Sequence, residues 1–192
     1  MSIKTYRKIF ADYQQGYLSA FSIFRQPLPQ KSEVILATED YSKLQDCVAK
    51  ALKGQVMTLL LVEQATSNKS LIVNSLAQQS KKAICVVDCV QLNNKYIGET
   101  EKNLARIIAD AHTHDWILFF DEADALFGKR TKLTANHEHY ANQEVSYLFK
   151  LFNQHAGLYV LACDEANLCK TLKQRVSYSL RPLPSSVPSP LA

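Results

Sequence analysis

The stretch Ile117-Leu118-Phe119-Phe120-Asp121-Glu122-Ala123-Asp124 decides how the rest of this chain is read. Four apolar residues in a row describe a strand buried on both faces, and the acids follow at its carboxyl end. Ligands of open α/β sheets bind beyond the carboxyl ends of strands, so two adjacent carboxylates there invite a cation and a water. Asp121 is the expected Mg²⁺ holder, acting through a coordinated water, and Glu122 the residue that polarises a water for attack on a phosphate. Acids after a strand also suit the positive end of a following helix dipole, so the motif alone leaves both uses open.

Outward from this strand, apolar runs alternate with helical patterns. Met57 to Val62, Ala83 to Asp88 and Leu158 to Ala162 read as further buried strands, with a short one near Ser177 to Leu180. Helices are expected over Asp40 to Leu52, Lys69 to Gln79, Thr100 to His112 and Glu138 to Gln154. In the first of these Leu44, Cys47, Val48 and Ala51 share a face. Such alternation predicts the α/β class, a three-layer parallel sheet with helices on both faces.

Towards the N-terminus, Ile3, Tyr6, Phe10, Tyr13, Tyr17, Ala20 and Phe24 recur at steps of three and four, the pattern of one helix face. Residues 1–32 are therefore expected to form a helical extension, 33–181 the core, and 182–192 a Pro- and Ser-rich tail. The 192 residues suffice for one buried core, and 47% are hydrophobic, as in an ordinary globular domain. A net charge of +4 is scattered rather than striped, which speaks against nucleic acid as a partner. Five cysteines with no C-x-x-C pair suggest reduced thiols in a cytoplasm, and no apolar run approaches the ~20 residues that span a bilayer. The two histidines of His137-Glu138-His139 sit at i and i+2, where helical side chains diverge, so no metal site is expected of them.

A second constellation follows Met57 to Val62. Where a P-loop reads G-x-x-x-x-G-K-[ST], this chain has Glu63-Gln64-Ala65-Thr66-Ser67-Asn68-Lys69-Ser70. Lys69 is placed to meet the β- and γ-phosphates and Ser70 to reach Mg²⁺, at a helix N-terminus that attracts anions. Both signature glycines are missing. Asn68 tolerates the left-handed backbone that glycine supplies, whereas Glu63 brings a negative charge towards a phosphate.

Lys95-Tyr96-Ile97-Gly98-Glu99-Thr100-Glu101-Lys102-Asn103-Leu104, the strand to Asp124, Leu126-Phe127-Gly128-Lys129-Arg130 and Tyr140-Ala141-Asn142 together resemble the AAA family of ATPases. Within it the nearest resemblance is to the ATPases that accompany contractile injection systems. The likeness covers roughly Val34 to Val176 and implies ATP and Mg²⁺ as cofactors. It further implies that Tyr96 and Ile97 form a pore loop gripping a threaded protein substrate. Asp164 falls where the family positions the attacking water with Asn, and Arg175 where an arginine reaches into a neighbouring subunit's site. Val176 occupies the place of a second such arginine. Assembly with like or unlike AAA subunits is implied as well.

Two functions stay open on these residues. Asp121, Glu122, Lys69 and Ser70 favour an ATPase that binds Mg-ATP weakly and hydrolyses it slowly. Glu63, Asp164 and Val176 favour a catalytically degenerate subunit kept for assembly or protein binding.

Overall fold

A computed structural model of the chain describes residues 21–24, 36–63, 69–93, 99–127, 137–164 and 170–182. Six strands form one sheet: β1 (Phe21–Phe24), β2 (Val56–Glu63), β3 (Ile84–Asp88), β4 (Ile117–Asp121), β5 (Gly157–Asp164) and β6 (Tyr178–Leu180). Their spatial order is β1-β3-β4-β5-β2-β6. All neighbours are parallel except β1, which runs antiparallel to β3. The helices are α1 (Thr38–Leu52), α2 (Lys69–Ser80), α3 (Cys89–Asn93), α4 (Glu99–His114), α5 (His137–Phe152) and α6 (Lys170–Arg175), with a 3₁₀ turn at Ala123–Leu126.

The period of two along each strand sorts apolar side chains into two cores. Leu60, Val62, Leu118, Phe120, Leu161 and Cys163 face one way, against Ile108 of α4 and Leu148 and Phe152 of α5. Leu59, Leu61, Ile117, Phe119, Val160 and Ala162 face the other, against Leu44, Cys47 and Val48 of α1 and Ile72 and Leu76 of α2. This is the expected three-layer arrangement, with strands that read as unbroken apolar runs because both faces are covered. Ala51 of the expected α1 face is only half buried but packs on the same core.

One expectation fails. Phe24, counted on the face of an N-terminal helix, lies instead in β1, where Phe21 to Phe24 pair with Val87 to Ile84. The outer side of β3 presents unpaired backbone groups, and an Phe-Ser-Ile-Phe segment satisfies them better as a strand than as helix. The remaining residues of that pattern, Ile3 to Ala20, lie outside the described part. So do 183–192 of the tail, although Pro182 is buried and bridged to Leu36.

Three helices end in left-handed residues at the amino edge of the sheet. Gly54 (φ 83°) closes α1, with Gln55 N–H donating to the Lys50 carbonyl at 3.2 Å. Lys81 (φ 57°) closes α2 and Asp115 (φ 56°) closes α4, where Trp116 N–H donates to the Ala111 carbonyl at 2.8 Å. Only glycine takes this backbone without a Cβ penalty. Lys81→Gly should therefore stabilise the protein by up to about 1 kcal/mol, and Gly54→Ala should cost about 1 kcal/mol. A Cβ at Gly54 meets nothing within 4 Å, so the loss there is purely conformational. Urea unfolding of both variants measures this, and shifts of the same sign would contradict it.

Candidate functional site

Parallel strands with shared direction deliver their carboxyl ends to one edge, and in this sheet four adjacent strands end there in an acid. In spatial order these are Asp88, Asp121, Asp164 and Glu63. Asp88 is the register partner of Asp121, and Glu63 that of Asp164. Asp88 is committed to its own helix: its carboxylate accepts Gln91 N–H at 2.9 Å and Gln91 Nε2–H at 2.8 Å, capping α3.

Asp121 is half buried, and its Oδ1 accepts the backbone N–H of Glu122 at 3.0 Å. This bond helps to hold Glu122 in a left-handed conformation, φ 51° and ψ 47°, at the head of the 3₁₀ turn. A non-glycine residue costs roughly 1–2 kcal/mol there, and its exposed side chain makes no hydrogen bond that would cap the turn. The dipole-capping use of these acids thus finds no support at Glu122, whose backbone is bent to turn the strand away from the sheet. Ala123 and Leu126, fully or nearly buried beneath it, anchor the turn in the α4–α5 core. Cys89 is buried in the same core, and burial pushes its thiol well above the ordinary range, so it is a neutral filler and not a nucleophile.

The other expected residues divide by position. Glu63 is the last residue of β2, and Lys69 and Ser70 open α2, so both ends of the expected P-loop segment lie at the same carboxyl edge as Asp121. Gln64, Ala65, Thr66, Ser67 and Asn68 lie outside the described residues, as do Tyr96 and Ile97. Asp164 is exposed and ends β5, two residues later than the strand was expected to stop. Arg175 is exposed at the end of α6 and stands away from this edge: two residues on, Ser177 N–H donates to the Thr58 carbonyl at 2.9 Å. Thr58 precedes Glu63 by five residues of strand, roughly 17 Å. Thr58 and Ser177 also bond through their hydroxyls, at 3.3 Å, and fix α6 against β2. Val176, at the second arginine position, packs on the α4–α5 core.

The sequence reading missed Asp88 and the Glu63–Asp164 register. The first was legible as an acid closing an apolar run, whereas the second depends on which strands are neighbours. Among the described residues no group of three or more His, Cys, Asp or Glu is arranged to hold a metal ion by itself. Among them, too, no helix is long and apolar enough to cross a membrane.

The family model of the ATPase family associated with various cellular activities (AAA) matches residues 59–176, from inside β2 to just past α6. The chain belongs to the AAA family. It is 35% identical over 75 residues to the ATPase family gene 2 protein of Schizosaccharomyces pombe, covering 38% of this chain and 9% of that protein. It is 30% identical over 95 residues to the ribosome biogenesis ATPase RIX7 of Saccharomyces cerevisiae, covering 48% of this chain and 11% of that one. The chain thus spans about a tenth of the length of these relatives. The fold is shared with the FIGL-1 AAA domain solved in complex with ADP, at a TM-score of 0.62 and 16% identity, over 94% of this chain and 63% of that one.

The backbone at Glu122 yields a stability test separate from any activity. Glu122→Gly should stabilise this AAA domain by up to about 1 kcal/mol, since glycine removes the left-handed cost. Glu122→Gln keeps the Cβ and should leave stability within about 0.5 kcal/mol. Thermal melts of the two variants decide this, and a destabilised Gly variant would mean that the Glu122 side chain holds the turn.

Proposed function

We propose that the carboxyl edge of this sheet is a Mg-ATP site that binds nucleotide weakly and hydrolyses it slowly, within an assembly of AAA subunits. The observation that carries the reading is the Asp121–Glu122 corner, where a carboxylate at the strand end is followed by an exposed glutamate on a strained backbone. Strain of this kind persists where the surroundings over-determine it, and functional sites are where it gathers. The donor set suits a hard divalent cation: oxygen ligands at a strand end, with water completing the shell. Asp121 would hold the ion and Ser70, at the start of α2, would face it from the P-loop side. Bound Mg²⁺ supplies neutralisation of the phosphate charge. Glu122 orients a water and accepts its proton, Asp164 steadies that water, and Lys69 with the α2 N-terminus attracts the phosphates.

Arg175 stands far from its own carboxyl edge, which supports a role towards a neighbouring subunit's site. Tyr96 and Ile97 are read as the pore loop of such a ring, gripping a protein substrate. The nearest kinship proposed is with the ATPases of contractile injection systems, on the Lys95–Leu104 and Leu126–Arg130 stretches, with a degenerate P-loop and a cytoplasmic location.

A second reading, a degenerate subunit that keeps the fold for assembly, is favoured by the Glu63–Asp164 register. At the roughly 5 Å spacing of neighbouring strands, two like charges would repel by about 0.8 kcal/mol in water and about 3 kcal/mol at an effective dielectric near 20. A phosphate brought beside both meets the same repulsion again.

Calorimetric titration with Mg-ATP separates the two. Wild type is expected to bind at least about a hundredfold more weakly than an intact P-loop, at about 1.4 kcal/mol per tenfold. Glu63→Gly, Thr66→Gly and Asn68→Gly together should tighten binding, most through Glu63. Low-micromolar binding by the natural chain, or no gain in the triple variant, would refute this account of the loop. Where turnover is measured, Glu122→Gln should abolish it and leave nucleotide affinity nearly unchanged; equal turnover would remove Glu122 from the mechanism.

A further inference from the structure

We infer that the cleft at the amino edge of the sheet is a binding site for a small carboxylate with an apolar tail, whose head group takes Lys82 and whose tail covers Leu52 and Trp116. The cleft is open, about 450 Å³ counting its solvent-filled mouth, and lies where α1, α2 and α4 end, beside the first residues of β4 and β5. It is thus at the opposite end of the strands from Asp121 and Glu122, and the inference does not rest on the nucleotide reading. Two residues point to a ligand with an apolar body. Leu52, the last residue of α1, is 49% exposed, the most of any large hydrophobic residue described, and it shares this cleft with Val48, Ala51 and half-buried Trp116. The Trp116 ring is held in place by stacking on His114, with 4.6 Å between centroids. A concave apolar wall with a small number of polar groups is what small-molecule sites offer.

The charge of the cleft selects the head group. Asp115 is the one acid among its lining residues, against Lys82 and His112. Lys82 Nζ meets an Asp115 carboxylate oxygen at 2.6 Å, yet the two side chains differ in depth: that of Lys82 is 24% exposed and that of Asp115 75%. Lys82 thus belongs to the wall, while its partner reaches in from the water. A pair with one member so exposed contributes little, so exchanging Asp115 for a ligand carboxylate costs at most about fivefold in affinity. Helix C-termini by themselves favour cations, but here their carbonyls are engaged. Those of Lys50, Ala77 and Ala111 accept the N–H groups of Gln55, Lys81 and Trp116 at 3.2, 2.9 and 2.8 Å. The Lys82 backbone is fixed as well, since its N–H donates to Ser80 Oγ at 3.2 Å and that hydroxyl donates to the Leu76 carbonyl at 2.7 Å. Its apolar stem can therefore lie along the wall while the ammonium meets a head group at the mouth.

Trp116 is the chain's sole tryptophan, so its emission reports on this cleft. The full chain would be titrated with sodium octanoate and, at equal chain length, with octylammonium chloride. A saturable change in Trp116 emission is expected with octanoate, and octylammonium should bind at least about tenfold more weakly. Lys82→Met keeps an apolar stem without the charge and should weaken octanoate binding at least about tenfold, whereas Lys82→Arg should retain it. Asp115→Asn releases Lys82 and leaves at φ 56° a residue that tolerates the left-handed backbone, so octanoate should bind up to about fivefold more tightly. An ion pair that merely braces the cleft predicts the reverse, since loss of either partner would loosen it. Proton–nitrogen NMR spectra of the same titration give a second reading, at the Trp116 indole N–H and the Gly157 amide. No saturable change by either method, equal binding of the two head groups, or unaltered binding by Lys82→Met would overturn the proposal, and so would weaker binding by Asp115→Asn.

Discussion

The eight-residue parallel register between β2 and β5 is the constraint from which the rest of this structure follows. It runs from Val56 opposite Gly157 to Glu63 opposite Asp164, without a bulge. Because the pairing is continuous, Leu59 and Leu61 fall on the same face as Val160 and Ala162, and Leu60 and Val62 on the same face as Leu161 and Cys163. α1 and α2 then have one apolar surface to cover, and α4 and α5 the other. β6 adds to β2 through Leu59 to Leu61, and the Thr58–Ser177 hydroxyl pair locks the chain that brings it there. Tyr178 extends that lock to α1, donating its hydroxyl to Asp46 and accepting from Lys50 at 3.0 Å.

The same register sets the geometry of the site. β3 and β4 end level with each other, and β5 and β2 end level with each other two residues further on, so the acids that close the four strands share one edge. β4 lies between β3 and β5, and its Phe119 and Phe120 are almost completely buried on opposite faces. That double burial leaves the strand no freedom to swing at its end, and the departure from the sheet is forced into a single residue. Glu122 takes the left-handed turn, and Ala123 drops at once into the core below. A rigid strand and a buried turn fix the glutamate backbone from both sides. A catalytic or ligand-holding carboxylate needs such placement more than it needs any one contact.

Much of this was legible in the sequence because strands buried on both faces leave an unbroken apolar run. Ile117 to Phe120 and Met57 to Val62 fall within the strands found, and Leu44, Cys47 and Val48 mark the buried face of α1 as their spacing implied. Three short helical pieces, α3, the 3₁₀ turn and α6, were not anticipated, since four to six residues are too few to display a period. β1 was misread for a different reason: Phe21, Ile23 and Phe24 suit either a helix face or a strand, and what decides is the open edge of β3, a tertiary fact. Within the site, the residue types at Asp121, Glu122, Lys69 and Ser70 were readable from motif spacing. The apposition of Glu63 with Asp164 was not, because β2 and β5 are nearly a hundred residues apart and become neighbours only through the strand order 3-4-5-2.

That apposition also shows why a fold tolerates a charge pattern that its binding site would not choose. Separating Glu63 from Asp164 by sliding β2 one residue along β5 would relieve at most about 3 kcal/mol of repulsion, and less in a water-exposed edge. The slide would also turn Leu59, Leu60, Leu61 and Val62 to the opposite faces, since side chains alternate with a period of two. Each of these is at most 2% exposed, and burial of such a side chain stabilises by roughly 1.5–3 kcal/mol. Repacking four of them against surfaces shaped for others costs more than the repulsion recovered. The hydrophobic register therefore wins, and Glu63 and Asp164 stay register partners at the strand ends. The charge pattern at the strand ends can be changed by substitution there, because the sheet will not move to accommodate it.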